Sequence, residues 1–446
     1  MDDSDPPKPR HRAIPSSRAA RLGTFGRLAG GVAGGMLGEG ARRLARGERP
    51  RMRDLLLTPG NVGRLADRLS HLRGAAMKLG QMISMDAGDM LPAELTAILA
   101  QLRSQAYRMP PQQLRSVLDA EWGPDWRRRF ARFNATPIAA ASIGQVHRAA
   151  LPDGREVAIK VQYPGIRESI DSDVDNVATL LRVSGVLPRE LDLAPLLGEA
   201  KRQLHEEADY EREAAQMTRF ADWLDGHPDY IVPRPLHELT TARVLAMDFI
   251  DSQPIEALGE APQETRDAAM RDLIALVLRE LFEFGAMQTD PNFANYRFQP
   301  DTRRLVLLDF GATRDVDPAT AEGYRTLLAA GLAGDRDAVR EAAQAAGFLG
   351  EAAIARHRPL VDRMIDIVVT EMNRPGSFDF GDRGFVEVLR EQGMEMAADR
   401  STWHIPPVET LFVQRKISGT ALLAARLAAR VDVRELVRPY LAGGSA

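Results

Sequence analysis

The stretch Gln288-Thr289-Asp290-Pro291-Asn292-Phe293-Ala294-Asn295, followed by Leu307-Leu308-Asp309-Phe310-Gly311, decides the fold of this chain. Mg²⁺ bound to nucleotide phosphates takes hard oxygen ligands, and Asn295 and Asp309 carry such oxygens on two neighbouring segments. Asp290 then remains to accept a proton from a hydroxyl or a water molecule, or to orient it. Each tripeptide alone would be interpreted as an ordinary turn or strand exit. The ordered set instead predicts a phosphoryl-transfer site.

The same order of residues is typical of kinase-fold enzymes, in which an Asp, an Asn five residues later and an Asp-Phe-Gly segment carry the chemistry. Upstream, Ala139-Ala-Ala-Ser-Ile-Gly-Gln-Val-His-Arg-Ala149 leads into the hairpin signal Asp153-Gly154. The alternating run Glu156–Gln162 then predicts a strand that carries Lys160. A lysine in this position matches the kinase lysine that holds the α- and β-phosphates.

The region after this strand is expected to supply the partner of Lys160 and the adenine contacts. We predict helical structure over Ala200–Trp223, where either Glu207 or Glu213 is placed to pair with the lysine. Short strands are predicted at Leu236–Glu238 and Arg243–Ile250, the second of which runs into an interlobe hinge. Backbone groups at this hinge would bind adenine, and Met247 and Ile250 are the residues assigned to the nucleotide there.

Composition limits the class of protein. At 446 residues the chain is long enough for one large core or two domains, and its 44% hydrophobic and 27% charged residues are typical of a folded globular protein. A formal net charge of −4 argues against general nucleic-acid binding. The absence of cysteine excludes disulfides, thiolate chemistry and cysteine-bound metals.

The first fifty residues differ from the rest. The Pro-, Ser- and Arg-rich start is predicted to be disordered. The uncharged, Gly-rich run Leu28–Gly38 is far shorter than the ~20 apolar residues that span a bilayer. Gly26, Gly30, Gly34 and Gly38 recur every four residues between flanking arginines, which favours a small-residue helix at an anionic lipid surface. A flexible glycine linker explains the same residues equally well.

An amphipathic helical pattern follows over Val62–Leu102, and it contains the segment Lys78-Leu79-Gly80-Gln81. Lys78 and Gln81 are three residues apart and therefore share one face of the predicted helix. A lysine on such a helix is, on its own, most simply a solvated side chain.

Together these residues resemble the UbiB family of atypical kinases, also called the ADCK family, over about Leu22–Leu441. The resemblance rests on six motifs: Lys78-Leu-Gly-Gln81, Ala139-Ala-Ala-Ser-Ile-Gly-Gln-Val-His147, Val157-Ala-Ile-Lys160, Glu207-Ala-Asp209, Gln288-Thr-Asp-Pro291 and Leu308-Asp-Phe-Gly-Ala-Thr313. The sequence segments around Glu280 and Met287 are similar to those of the mitochondrial and alphaproteobacterial branch, which supports ubiquinone biosynthesis.

The resemblance implies roles for matching positions. Lys160 would contact the nucleotide phosphates and pair with Glu213, and Asp290 would be the catalytic-loop aspartate. Asn295 and Asp309 would be the Mg²⁺ ligands. Regulatory residues would be Lys78 and Gln81, on an extension that folds over the cleft, with the acidic Glu207 and Asp209 facing Lys78. The nucleotide loop would contain Ala139, Ala140, Ala141 and Ser142.

Two departures from ordinary protein kinases affect this interpretation. Alanines stand where glycines would cover the phosphates, and alanine lacks the freedom of glycine at positive φ, so the loop should approach phosphate differently. Nothing after Gly311 resembles an activation segment that ends in Ala-Pro-Glu. Protein phosphorylation is therefore disfavoured.

We thus predict an α+β, bilobal protein-kinase-like fold, with a mixed N-lobe, a helical C-lobe and nucleotide at the seam. The expected segments are a membrane-associating tail (1–50), a helical extension over the cleft (51–135), the N-lobe (136–250) and the C-lobe (251–446).

The expected function is that of an atypical kinase or ATPase that binds ATP or ADP with Mg²⁺ and supports prenyl-quinone synthesis. Expected partners are a lipid or quinone precursor, the cytoplasmic face of the inner membrane, quinone-biosynthesis enzymes and a second copy in a homodimer, but no nucleic acid. A small-molecule phosphotransferase of the aminoglycoside or choline kinase type is one alternative. A nucleotide-gated lipid-binding scaffold is another.

Overall fold

The structure is a computed structural model that describes residues 109–441 except 142, 184–193, 383, 398, 400–403 and 405. The predictions for Lys78, Gln81, Ser142 and the glycines between Gly26 and Gly38 lie outside the described residues. The described chain divides into two compact units. Unit 1 contains the described residues up to Ala215 together with Arg234–Phe249, and unit 2 contains Gln216–Pro233 and the described residues from Ile250 onward.

Unit 1 combines an antiparallel sheet with helices. Its strands are β1 (Arg132–Phe133), β2 (Ala139–Ala140), β3 (Gly144–Ala150), β4 (Glu156–Gln162) and β6 (Val244–Asp248). Its helices are α1 (Pro111–Trp122), α2 (Ile166–Val183), α3 (Ala194–Glu207) and the first part of α4 (Tyr210–Trp223).

The five-stranded sheet of unit 1 has the order β1-β3-β4-β6, with β2 paired to β3. The β3–β4 turn has Gly154 at φ +91°, a conformation that favours glycine. Strand β4 matches the predicted limits Glu156–Gln162, and both of its neighbours pair with it along most of its length. Its side chains are almost all buried, as are those of Leu245 and Ala246 on β6, so β4 lies in the core of the unit.

Unit 2 is mainly helical. Its helices are α5 (Gln263–Arg279), α6 (Pro318–Ala333), α7 (Arg336–Ala345), α8 (Glu351–Met372), α9 (Gly384–Ala397), α10 (Val408–Arg426) and α11 (Val433–Leu441). A π-helical segment, Glu280–Phe284, continues directly from α5.

Short strands in unit 2 carry the catalytic segments that the sequence predicts. They are β5 (Tyr230–Ile231), β7 (Gln253–Pro254), β8 (Ala286–Gln288), β9 (Tyr296–Gln299), β10 (Arg304–Leu307), β11 (Thr313–Asp315), β12 (Phe378–Asp379) and β13 (Arg430–Val431). One sheet has the order β5-β10-β9-β7, while β8 pairs with β11 and β12 with β13. A cluster of buried apolar side chains, including Leu281, Met287, Tyr324 and Val413, supports β8.

Two sequence predictions of local structure need correction. Leu236–Glu238 is not a strand, because the backbone N–H groups of Leu239 and Thr240 both donate to the Leu236 carbonyl and close a turn. The predicted helix Ala200–Trp223 is interrupted at Ala208 and Asp209. The Asp209 carboxylate accepts the backbone N–H of Arg212 at 3.0 Å, so this residue begins a second helix rather than continuing the first.

None of the helices in the described ranges is long and apolar enough to cross a bilayer.

Candidate active site

The two predicted catalytic segments of unit 2 are bonded to each other. Strands β8 and β11 pair with Gln288 opposite Thr313. Beyond this pair, the hydroxyl and the backbone N–H of Thr289 both donate to the Ala312 carbonyl, at 2.7 and 3.3 Å. Asp290 follows β8 and the Asp309-Phe-Gly segment precedes its partner β11, so hydrogen bonds between these strands fix the relative position of the two segments.

Asn295 connects both segments. Its side-chain Nδ2 donates to the Asp290 carbonyl at 3.2 Å, and its own carbonyl accepts the backbone N–H of Leu308 at 3.0 Å. The residue is 7% exposed and ends a short 3₁₀ helix, which Asn292 caps by accepting the N–H of Ala294. With Nδ2 used as a donor, the remaining amide atom, Oδ1, is the acceptor that a cation would use.

Asp309 follows β10 and precedes a turn. Its Oδ1 accepts the backbone N–H of Gly311 at 3.0 Å, which holds the carboxylate against its own backbone. The next side chain, Phe310, is 1% exposed and packs on Phe220 with ring centroids 4.8 Å apart. The buried ring anchors the segment, while the half-buried Asp309 stays accessible.

In unit 1, the structure brings Lys160 and Glu213 together. The Lys160 ammonium donates to both carboxylate oxygens of Glu213, at 2.8 and 2.9 Å. Glu213 is fully buried, and Lys160 is 8% exposed. The ammonium also lies 4.9 Å from the centre of the Tyr210 ring, one turn earlier on α4. A buried carboxylate and an aromatic face thus fix the lysine on β4.

The alanine-rich loop lies beside β3, the strand that pairs with β4. Ala139 and Ala140 form β2 and are exposed, and the N–H of Ala141 donates to the Gly144 carbonyl at 2.9 Å to close a tight turn. A Cβ added at Gly144 would lie 2.4 Å from the Val161 carbonyl oxygen. This position therefore has no room for a side chain. Glycine here allows the backbone at the end of the loop to lie close to β4.

The remaining predicted residues lie in separate places. Met247 is buried on β6 opposite Ala158 of β4, and the half-buried Ile250 belongs to unit 2, where its carbonyl accepts the Ser252 hydroxyl at 3.1 Å. Glu207 ends α3 and Asp209 begins α4, both partly exposed. Their predicted partner Lys78 is not described.

Sequence reasoning missed two features of these sites. The first is the Tyr210 ring, which lies near the Lys160 ammonium. Its position one helical turn before Glu213 was the signal in the sequence that could have identified it. The second is a buried ion pair between Lys416 of α10 and Glu280, both 1% exposed, which contacts the Gln288 side chain. A single lysine in an apolar helix gives no sequence signal for such a pair.

The donor set suits Mg²⁺ better than a metal held by protein alone. Within residues 109–441, outside the gaps named above, no three or more His, Cys, Asp or Glu side chains are grouped to hold an ion. Asn295 and Asp309 offer two hard oxygens on bonded segments. Mg²⁺ is commonly bound through one or two such groups, with phosphate and water oxygens completing its octahedron.

Comparison with known proteins shows the family of this chain. The family model of the ABC1 atypical kinase-like domain matches residues 101–343. This match defines the class of the protein as an atypical kinase. The chain belongs to the ABC1, or UbiB/ADCK, family of atypical kinases, which confirms the resemblance that its motifs indicate.

Relatives of known name are similar over nearly the whole chain. The mitochondrial atypical kinase COQ8 of Saccharomyces cerevisiae is 36% identical over 96% of this chain and 86% of its own length. The mitochondrial atypical kinase COQ8B of Rattus norvegicus is 37% identical over 96% of this chain and 81% of its own. Among solved structures, the complex of Rv3197 from Mycobacterium tuberculosis with erythromycin has a TM-score of 0.60 at 26% identity, covering 86% of this chain and 96% of that one.

Proposed function

We propose that this atypical kinase binds a Mg²⁺–nucleotide complex and uses it for phosphoryl transfer in support of ubiquinone biosynthesis. The observation that carries the proposal is the position of Asn295, which is bonded to the Asp290 loop and to the Asp309 segment at once. A kinase needs a metal-binding oxygen and a catalytic carboxylate held in fixed register. Asn295 and Asp290 are our candidates for these two parts, and hydrogen bonds join their segments.

The nucleotide would be held through its phosphates and its adenine. Lys160, fixed by Glu213, would contact the α- and β-phosphates, and the turn of Ala139, Ala140, Ala141 and Ser142 would cover them. Met247 and Ile250 would contact the adenine. Either ATP or ADP fits these groups.

Asn295 and Asp309 would hold the metal, and Asp290 would orient the acceptor. When bound, Mg²⁺ neutralises charge that develops on the transferred phosphoryl group. Asp290 would accept a hydrogen bond from a water molecule or from a lipid-like hydroxyl, because a phosphoryl-transfer enzyme works mainly by positioning and electrostatics.

A lipid or quinone precursor is the acceptor class that we propose, because the relatives named COQ8 match the chain over nearly its full length. Residues 1–50 would bring the chain to a membrane surface through their arginines. Glu207 and Asp209 would face Lys78 and regulate access to the site. Contacts with quinone-biosynthesis enzymes and a homodimer belong to the same proposal.

The test is phosphate release from Mg²⁺-ATP by the purified chain, with liposomes and extracted quinone precursors added in turn. Asp309→Asn should abolish turnover, because the variant keeps the acceptor for the Gly311 N–H but loses the charge that binds the metal. Asp301→Asn is the matched control, since Asp301 is an exposed turn residue of the same unit.

Wild-type turnover in Asp309→Asn would overturn the site assignment. Labelled phosphate found on a precursor would identify a kinase with a lipid acceptor, whereas phosphate found only in solution would identify an ATPase.

A further inference from the structure

A buried ion pair lies beside the catalytic loop. The Lys416 ammonium of α10 is 3.1 Å from Glu280 Oε2, and each side chain is 1% exposed. The same ammonium donates to the Gln288 side-chain oxygen at 3.3 Å and lies 5.4 Å from the centre of the Tyr296 ring. Burial acts to lower the pKa of Lys416, but the Glu280 carboxylate and Tyr296 raise it above its ordinary value. Burial also raises the pKa of the Glu280 carboxyl, and the neighbouring Lys416 ammonium opposes that shift.

Each partner of Lys416 leads to the Asp290 loop. Glu280 is the first residue of the π-helical segment, and its Oε1 lies 3.4 Å from the backbone N–H of Gln288, which donates to it. Gln288 ends β8, two residues before Asp290. A π-helical turn within or next to a regular helix is frequent at functional sites.

A second contact of α10 lies on the other side of Asp290. Gly419, one turn after Lys416, packs against Pro291 so closely that an added Cβ would lie 2.1 Å from the proline Cβ and 2.8 Å from its Cγ. The proline ring cannot rotate away as a flexible side chain would. Helix α10 thus contacts the residue that follows Asp290 and the residue two positions before it.

Stability alone does not account for this arrangement. A buried ion pair is often no more stabilising than well-packed apolar side chains of similar volume, because both charges lose their hydration. The pair instead fixes the orientation of the side chains, since two charges and an amide hold one another in a single geometry.

We infer that Lys416, Glu280 and Gly419 are positioning residues that hold the Asp290 loop in its reactive geometry through Gln288 and Pro291. The inference rests on the proposed phosphoryl-transfer function and adds a second contact surface to it. None of the three residues touches the nucleotide or the acceptor in this scheme. Their loss should therefore lower kcat and leave nucleotide binding intact.

The first test compares two glycine-to-alanine variants of unit 2. Gly419→Ala forces a methyl group against Pro291, whereas Gly393→Ala on α9 adds one where no atom lies within 4 Å. We expect Gly419→Ala to lower kcat for Mg²⁺-ATP turnover by about 100-fold, the effect of a displacement near 1 Å, with KM within about twofold of wild type. Gly393→Ala should match wild type in both.

Two further measurements separate positioning from general loss of structure. In an Asp290→Asn background, Gly419→Ala should cause no further loss of kcat, because its effect passes through Asp290. The double variant Lys416→Met/Glu280→Gln removes both charges at similar volume, and it should stay folded while kcat falls.

Hydrogen exchange supplies a readout that does not depend on turnover. Peptides spanning residues 288–296 should exchange faster in Gly419→Ala than in Gly393→Ala, while peptides from β4 are unchanged. Equal exchange and equal kcat in the two glycine variants would overturn the inference, even if Asp309→Asn still abolished turnover. If the wild-type chain shows no turnover but peptides 288–296 still exchange faster in Gly419→Ala than in Gly393→Ala, the positioning contact is supported and the proposed function is rejected.

Discussion

At the scale of single residues, breaking the ion pair of Lys160 and Glu213 should measurably lower the free energy of unfolding. The Glu213 carboxylate is fully buried, and both of its oxygens accept from the Lys160 ammonium. Removing the lysine takes the ammonium away from a buried carboxylate. Lysine and glutamate are therefore expected to behave as a unit in stability as well as in catalysis.

Lys160→Met should lower the free energy of unfolding by about 3–5 kcal/mol, the usual cost of leaving one buried charge unpaired. The double variant Lys160→Met/Glu213→Gln should recover most of this loss, because it leaves no charge behind. Urea unfolding of wild type and the variants measures both. A single variant as stable as wild type would mean that the pair is solvated in solution.

At this scale the structure pairs Lys160 with Glu213 as expected, while the metal-binding and catalytic roles stay predictions. Lys160 could be selected because a positive charge is unusual within a mostly apolar strand, and Asn295 because it lies five residues after Asp290. The burial of Lys416 and Glu280 could not be predicted, since their contact joins residues 136 positions apart. Only packing brings them together.

At the scale of elements, a polar network joins the start of the described chain to the alanine-rich loop region. The backbone N–H of Met109 donates to Gln145 Oε1, and Gln145 Nε2 lies 2.9 Å from His147 Nε2. His147 Nδ1 is 2.9 Å from the Asn134 carbonyl, which can only accept. The imidazole thus carries its proton on Nδ1 and accepts from Gln145 on Nε2.

Burial lowers the pKa of His147 to about 4, although its bond to Asn134 opposes this shift. The unfolded chain binds the proton near pH 6.5, so the contribution of a neutral His147 is complete above pH 6.5 and is lost as the pH falls toward 4. The difference corresponds to about 3 kcal/mol.

We therefore expect wild type to lose about 3 kcal/mol more free energy of unfolding than His147→Gln between pH 6.5 and pH 4. Denaturant unfolding across this range measures the difference. Identical pH dependence of the two proteins would show that His147 titrates with its ordinary pKa in the folded chain.

The elements also show where sequence patterns carry too little information. Strand β4 was predicted with its limits because seven alternating residues are bounded by a hairpin and a proline. The strand expected at Leu236–Glu238 was wrong because three residues satisfy a turn as readily as a strand. The break at Ala208 depends on the Asp209 carboxylate, which accepts the backbone N–H of Arg212. In the sequence, the same aspartate is equally consistent with a solvated side chain on an unbroken helix.

At the scale of the whole molecule, we propose from the N-terminal sequence that the chain associates with a membrane. Three arginines, Arg42, Arg43 and Arg46, follow the glycine-rich run. Each basic residue near an anionic bilayer contributes about 1 kcal/mol, which salt weakens.

The full-length chain should float with vesicles that contain anionic lipid, and replacement of these three arginines by glutamine should reduce flotation. Replacement of the exposed run Arg127–Arg129 by glutamine removes the same charge from a described surface and should have little effect. Equal loss in both variants, or flotation unaffected by 0.5 M salt as a rough test of screening, would contradict the role of the N-terminal arginines.

The central claim for the molecule is that metal binding and acceptor activation are divided between Asp309 and Asp290. The most direct test is Asp290→Asn, measured both for Mg²⁺-dependent nucleotide affinity by calorimetry and for single-turnover phosphate release. Asparagine keeps the acceptor for the Asn292 N–H, so the loop should stay in place. We predict wild-type affinity with turnover lowered by at least about 100-fold. Turnover at the wild-type rate in Asp290→Asn would contradict the account.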